Sequence, residues 1–202
     1  MISLRRYASV PALAALPATS WAHSPIKGIG SFYNGILHPL LEPAHLLALL
    51  TLGLLLGMQR GRHIKTGIPL FMLTLAATLL AVRFGITHDT QAWLLSATLL
   101  VGLLVVVARP LPDPAYLLLA ACFAVLLGLD SGQPSMSSGQ LTGALYGSGL
   151  GASLLLIYAA GLAEYLQKPW QQILTRVLAS WSSASALLVL AFLLTASRQP
   201  VS

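Results

Sequence analysis

Residues 35–57 read GILHPLLEPAHLLALLTLGLLLG. The second half is a plain apolar run, and a bilayer core about 30 Å thick takes roughly 20 helical residues to cross. The first half is interrupted by His38, Pro39, Glu42, Pro43 and His45. Ionisable side chains are costly at membrane depth, and proline breaks the backbone ladder of a helix. Five such residues in eight positions call for an explanation in terms of use.

The rest of the chain sets the context. It has 202 residues, 56% hydrophobic and 8% charged, with a mean hydropathy of +0.81. Several further apolar runs are long enough to span a bilayer, and alternating strand patterns are few. Helices satisfy their own backbone in lipid, so the expected class is an all-α, polytopic membrane bundle. A net charge of +6 would suggest nucleic acid in a soluble chain. Here the basic residues sit at helix ends, where they set orientation, and no nucleic-acid partner is expected. The single cysteine, Cys122, lies within an apolar run and is expected to pack there.

Residues 1–22, MISLRRYASVPALAALPATSWA, have the form of a signal peptide: Arg5 and Arg6, a short apolar stretch, then small residues. Cleavage after Ala22 would leave His23 first; an uncleaved helix is the alternative. Residues 23–202 then form one domain. Six spans are expected at about 31–58, 67–83, 92–108, 115–130, 139–164 and 174–196. The loops after spans one, three and five carry Arg60, Arg62, Lys65, Arg109, Lys168 and Arg176, against Lys27, Arg83 and Arg198 on the other side. That bias puts the first set in the cytoplasm and the mature N-terminus outside it. Trp93, Tyr116, Tyr165 and Trp170 fall near span ends, as interfacial aromatics do.

At about 100° per residue, His38, Glu42 and His45 share an arc of roughly 60° on a helix. Imidazole with carboxylate suits divalent transition metals such as zinc, nickel or cobalt. His38 and His45 lie about 10 Å apart along a regular helix at 1.5 Å per residue, too far for one ion. Either the face is a row of stations for a moving ion, or the prolines fold the helix so that the ligands converge. Pro39 and Pro43 donate no backbone hydrogen bond, and His38 and Glu42, each preceding a proline, resist the helical region. Taken singly, each histidine reads equally well as an interhelical hydrogen-bonder. Glu42 demands a cation or a proton, because no lysine or arginine lies in mid-span to meet it.

His23, His88, Asp89 and Asp130 are further candidate ligands on the non-cytoplasmic side, where they would form an access path. His88 and Asp89 also read as a solvated turn, and Asp130 as a helix-end aspartate. His63, in GRHIK, reads as a solvated cytoplasmic loop residue. Gly143, Gly147 and Gly151 recur every four residues, a spacing that permits close helix contact within or between chains.

The export signal ending in Ala-His, the His38-Pro39 pair, His45 and Gly53 within GILHPLLEPAHLLALLTLG resemble the HupE/UreJ family of small bacterial membrane proteins. The resemblance implies six spans in the inner membrane and nickel or cobalt permease activity, often serving hydrogenase or urease maturation. The chain departs from the family pattern at Glu42 (usually glycine), Ala44 (usually aspartate) and Leu49 (usually methionine), and it lacks histidines near the end of the fourth span. Glu42 is the candidate substitute for the missing carboxylate, and Asp130 for a missing histidine.

The primary expectation is therefore a metal permease with no tightly bound cofactor. The alternative is a non-transporting assembly subunit, meeting a second copy or another membrane complex through the Gly143/Gly147/Gly151 face. An enzyme is not expected: Ser148 lies between glycines, but no histidine in the later spans could act as its base. Two histidines on one helix also cannot sit on opposite faces of one haem.

Overall fold

Residues 28–58, 62–132 and 136–196 are described here from a computed structural model. The expected signal segment and His23 lie outside them. The described residues form seven helices and no strand: α1 (Ser31–Leu41), α2 (Pro43–Met58), α3 (Arg62–Arg83), α4 (Gln91–Val107), α5 (Asp113–Asp130), α6 (Ser138–Tyr165) and α7 (Pro169–Ala196). The helices α3, α5, α6 and α7 are each long and apolar enough to cross a membrane. The pair α1 and α2 passes the same test jointly, bent by 69°, and α4 is a shorter apolar helix.

The expected kink in the first span is a full break, and it falls at one residue. Glu42 is extended, at φ −84° and ψ 112°, as the residue before a proline prefers. Pro43 then opens α2, where its missing N–H would have had no partner in any case. Pro39 acts differently. It lies within α1, and His38 before it stays helical, so the resistance expected there is overcome.

The helix α2 explains why this stretch decides the fold. It is apolar nearly all round, and it packs against every other described helix. Eleven of its sixteen residues are buried. Gly53 and Gly57 bring it close to α6: a Cβ on Gly53 would stand 2.5 Å from that of Ala159, and one on Gly57 2.6 Å from that of Ala163.

The bend lays α1 across the first half of α6. There the Gly143/Gly147/Gly151 stripe meets its partner. A Cβ on Gly147 would strike the carbonyl oxygen of Phe32, one on Gly151 that of Ile36, and one on Gly143 would stand 2.7 Å from Ser31 Oγ. The stripe is an intrachain seam, covered by α1. This corrects the expectation that it meets a second copy or another complex.

Other expectations are corrected as well. The third helix starts at Arg62, and His63 is buried inside it, stacked on Tyr116 with ring centroids 3.8 Å apart. Tyr116 is fully buried and accepts the N–H of Leu111 at 3.0 Å, so it is no interfacial aromatic. Trp93, Tyr165 and Trp170 are exposed near helix ends, as expected. Cys122 is exposed on α5 and packs against no core. Each departure has one reason: facing is set by a neighbouring helix, which local apolarity does not reveal.

Gly147→Ala should cost about 1–3 kcal/mol, as overpacking does, and lower the thermal unfolding midpoint of the purified chain. Gly161→Ala should not lower it and should raise it slightly, because nothing lies within 4 Å of the added Cβ and alanine is the better helix former. Equal midpoints for the two variants would contradict the seam.

Candidate functional site

The break at Glu42 reorganises the polar face of the first span. Along a straight helix His38 and His45 would be a full two turns apart. Across the 69° bend their ring centroids stand 5.0 Å apart, edge to face. The break thus brings the two histidine rings together.

Two other helices close around this corner. The C-terminal residue of α5, Asp130, places Oδ2 at 2.9 Å from His45 Nε2. The start of α4 holds both carboxylates in place. Gln91 Nε2 donates to Glu42 Oε1 at 3.0 Å, and the N–H of Thr90 donates to Asp130 Oδ1 at 3.3 Å. Thr90 is itself tied down, since its hydroxyl donates to the carbonyl of Leu126 at 2.6 Å. The cluster is nearly dry: His45 is 0% exposed, Glu42 3% and the Asp130 side chain 13%.

The hydrogen bonds leave particular atoms over. Glu42 Oε2 and His45 Nδ1 are buried and have no hydrogen-bond partner. Leaving such atoms unmatched costs about 1–3 kcal/mol each, more for a charged group. An ionised Asp130 only accepts, so the proton of a neutral His45 sits on Nε2 and the lone pair on Nδ1. This is the arrangement in which a carboxylate orients an imidazole for a metal through its other nitrogen. Among the described residues, however, no three His, Cys, Asp or Glu side chains form a ready cage for an ion. The corner supplies pairs, His38 with His45 and His45 with Asp130.

Of the expected site residues, His38 lies beside His45 and His45 pairs with Asp130, while Glu42 is linked to them through Gln91 and Thr90 at the start of α4. His88 and Asp89 are not brought in with them. Both are exposed, and Asp89 Oδ1 caps the N–H of Gln91 at 3.2 Å, which is turn chemistry. The positions where the family pattern differs, Ala44 and Leu49, are fully buried core residues here. Two participants were missed from sequence, Thr90 and Gln91. Their only signal was a pair of polar residues opening an apolar helix, which is ordinary.

The His45–Asp130 pair has a stability consequence of its own. Asp130→Ala should leave a buried N–H without an acceptor and cost about 1–3 kcal/mol, whereas Asp130→Asn keeps an acceptor oxygen and should cost less. Thermal unfolding in metal-free buffer measures both. An unchanged midpoint in D130A would contradict the pairing.

A family model described as HupE / UreJ protein matches residues 11–190. No curated protein and no solved structure matches the chain. The family match takes in the broken first span, the corner it builds and nearly all of the helical bundle, and on that match this multi-pass membrane chain belongs to the HupE/UreJ family.

Proposed function

We propose that the chain is a permease for a divalent transition metal, nickel or cobalt, and that the ion is taken up at the corner where α1 meets α2. Two observations support this reading: Glu42 Oε2 and His45 Nδ1 are buried atoms with no hydrogen-bond partner, and the ring of His45 lies beside that of His38. A carboxylate oxygen with imidazole nitrogens is a donor set these metals favour. Family membership supports the same cargo.

In this reading His45 binds the ion through Nδ1, oriented by Asp130 from behind. Glu42 contributes Oε2 while Gln91 holds Oε1, and His38 completes the approach from α1. The ion supplies the positive charge that a buried carboxylate needs, since an isolated charge at membrane depth is costly. Glu42 is also the hinge. A modest rotation of its extended backbone moves His38 relative to His45, which suits loading and release at one site. Discontinuous helices serve transporters in this way, because irregular backbone is tolerated where it lines a cavity. The membrane is the bacterial inner membrane, crossed six times if α1–α2 and α4 each span. The N-terminal side and the corner then face the periplasm, on the lysine and arginine bias. His23 remains a candidate ligand at that mouth.

The assembly-subunit reading loses its specific support, because the glycine stripe it relied on is covered by α1.

Metal uptake into proteoliposomes, read together with equilibrium binding to the purified chain, tests the proposal. His45→Ala and Glu42→Gln should each lower affinity at least tenfold, with the protein still inserted and folded. Unchanged uptake and binding in both would overturn it.

A further inference from the structure

A second feature lies away from the metal corner, on the outer surface between α3 and α6. It is a cleft of about 510 Å³, lined almost wholly by apolar side chains. Its residues recur at three- and four-residue steps on both helices, from Met72 to Arg83 on α3 and from Thr142 to Ser153 on α6. Each stripe covers eleven residue steps, about 16 Å at 1.5 Å per residue. That is about half of a hydrocarbon core roughly 30 Å thick, the depth of one leaflet. The cleft exists because small residues, Ala76 and Gly149 among them, line it.

One end of the cleft is polar, and it is the end where α3 stops. Arg83 is the last residue of α3 and is exposed. Its Nε donates to Thr142 Oγ1 at 2.8 Å, which pins the guanidinium across the mouth. Among the described residues it makes no ion pair. A guanidinium carries five N–H donors in a fixed fork. Four remain, in the geometry that grips a phosphate. The helix end also sets the depth, since a cation there sits at headgroup level with the apolar stripe below it.

We infer that this cleft is a binding site for one anionic phospholipid, with an acyl chain between α3 and α6 and the phosphate on Arg83. Length, polarity and charge each match that ligand. An acyl chain fills a leaflet-deep apolar groove, and the single cation stands where the head group lies. The site is independent of the metal corner and needs no ion.

The test compares dissociation constants of dioleoyl phosphatidylglycerol and dioleoyl phosphatidylcholine on the purified, metal-free full chain, by native mass spectrometry. The wild type should prefer phosphatidylglycerol about fivefold, the worth of one cation near an anionic head group. Arg83→Gln should remove the preference, and Arg83→Lys should keep most of it. Ala76→Phe, which fills the groove, should weaken both lipids. Equal affinities in the wild type, or a preference that survives in R83Q, would overturn the assignment.

Discussion

A proline has no backbone N–H, and it disfavours the helical region for the residue before it. At Pro43 those two facts meet a glutamate, and most of the architecture follows. Glu42 goes extended and the first span breaks by 69°. The short arm α1 is laid on the glycine stripe of α6. The long arm α2 becomes an apolar rod that every other described helix packs around. The same break brings the ring of His38 to within 5.0 Å of the ring of His45. A straight helix would leave the glycine stripe uncovered and the histidines two turns apart.

Electrostatics explains why the corner is held so firmly. Two of the chain's five acidic residues, Glu42 and Asp130, lie at it, and among the described residues no lysine or arginine pairs with them. Their partners are an amide side chain, a backbone N–H and an imidazole. Neutral hydrogen bonds offset only part of the cost of a buried charge. The result is a folded corner in which one buried carboxylate oxygen, Glu42 Oε2, meets no protein donor. Partial satisfaction of this kind is a poor way to stabilise a bundle, and under the proposed function an incoming cation completes it.

Much of this was legible in the sequence. The membrane class followed from composition, and the extents of α4 and α6 fell within a residue of expectation. The prolines marked the break, whereas the shared face of His38, Glu42 and His45 assumed a regular helix that the extended Glu42 removes. What was not legible depends on distance along the chain. Asp130 looked like a helix-end residue because its partner, His45, is 85 positions away. His63 looked solvated because a charged neighbourhood hides a stacking partner on another helix. Gln91 gave no sign, since glutamine at a helix start is common. The glycine stripe announced close contact but not with which surface. Periodicity reports which side of a helix is special, and only tertiary packing says what that side meets.

The central claim is that the broken first span presents imidazole and carboxylate together to one ion. X-ray absorption of the purified chain loaded with cobalt or nickel tests it most directly. The account predicts one equivalent of metal in a first shell of nitrogen and oxygen, with the multiple-scattering signature of imidazole, reduced in His45→Ala. A shell of oxygen alone, or a spectrum unchanged by that substitution, would contradict it.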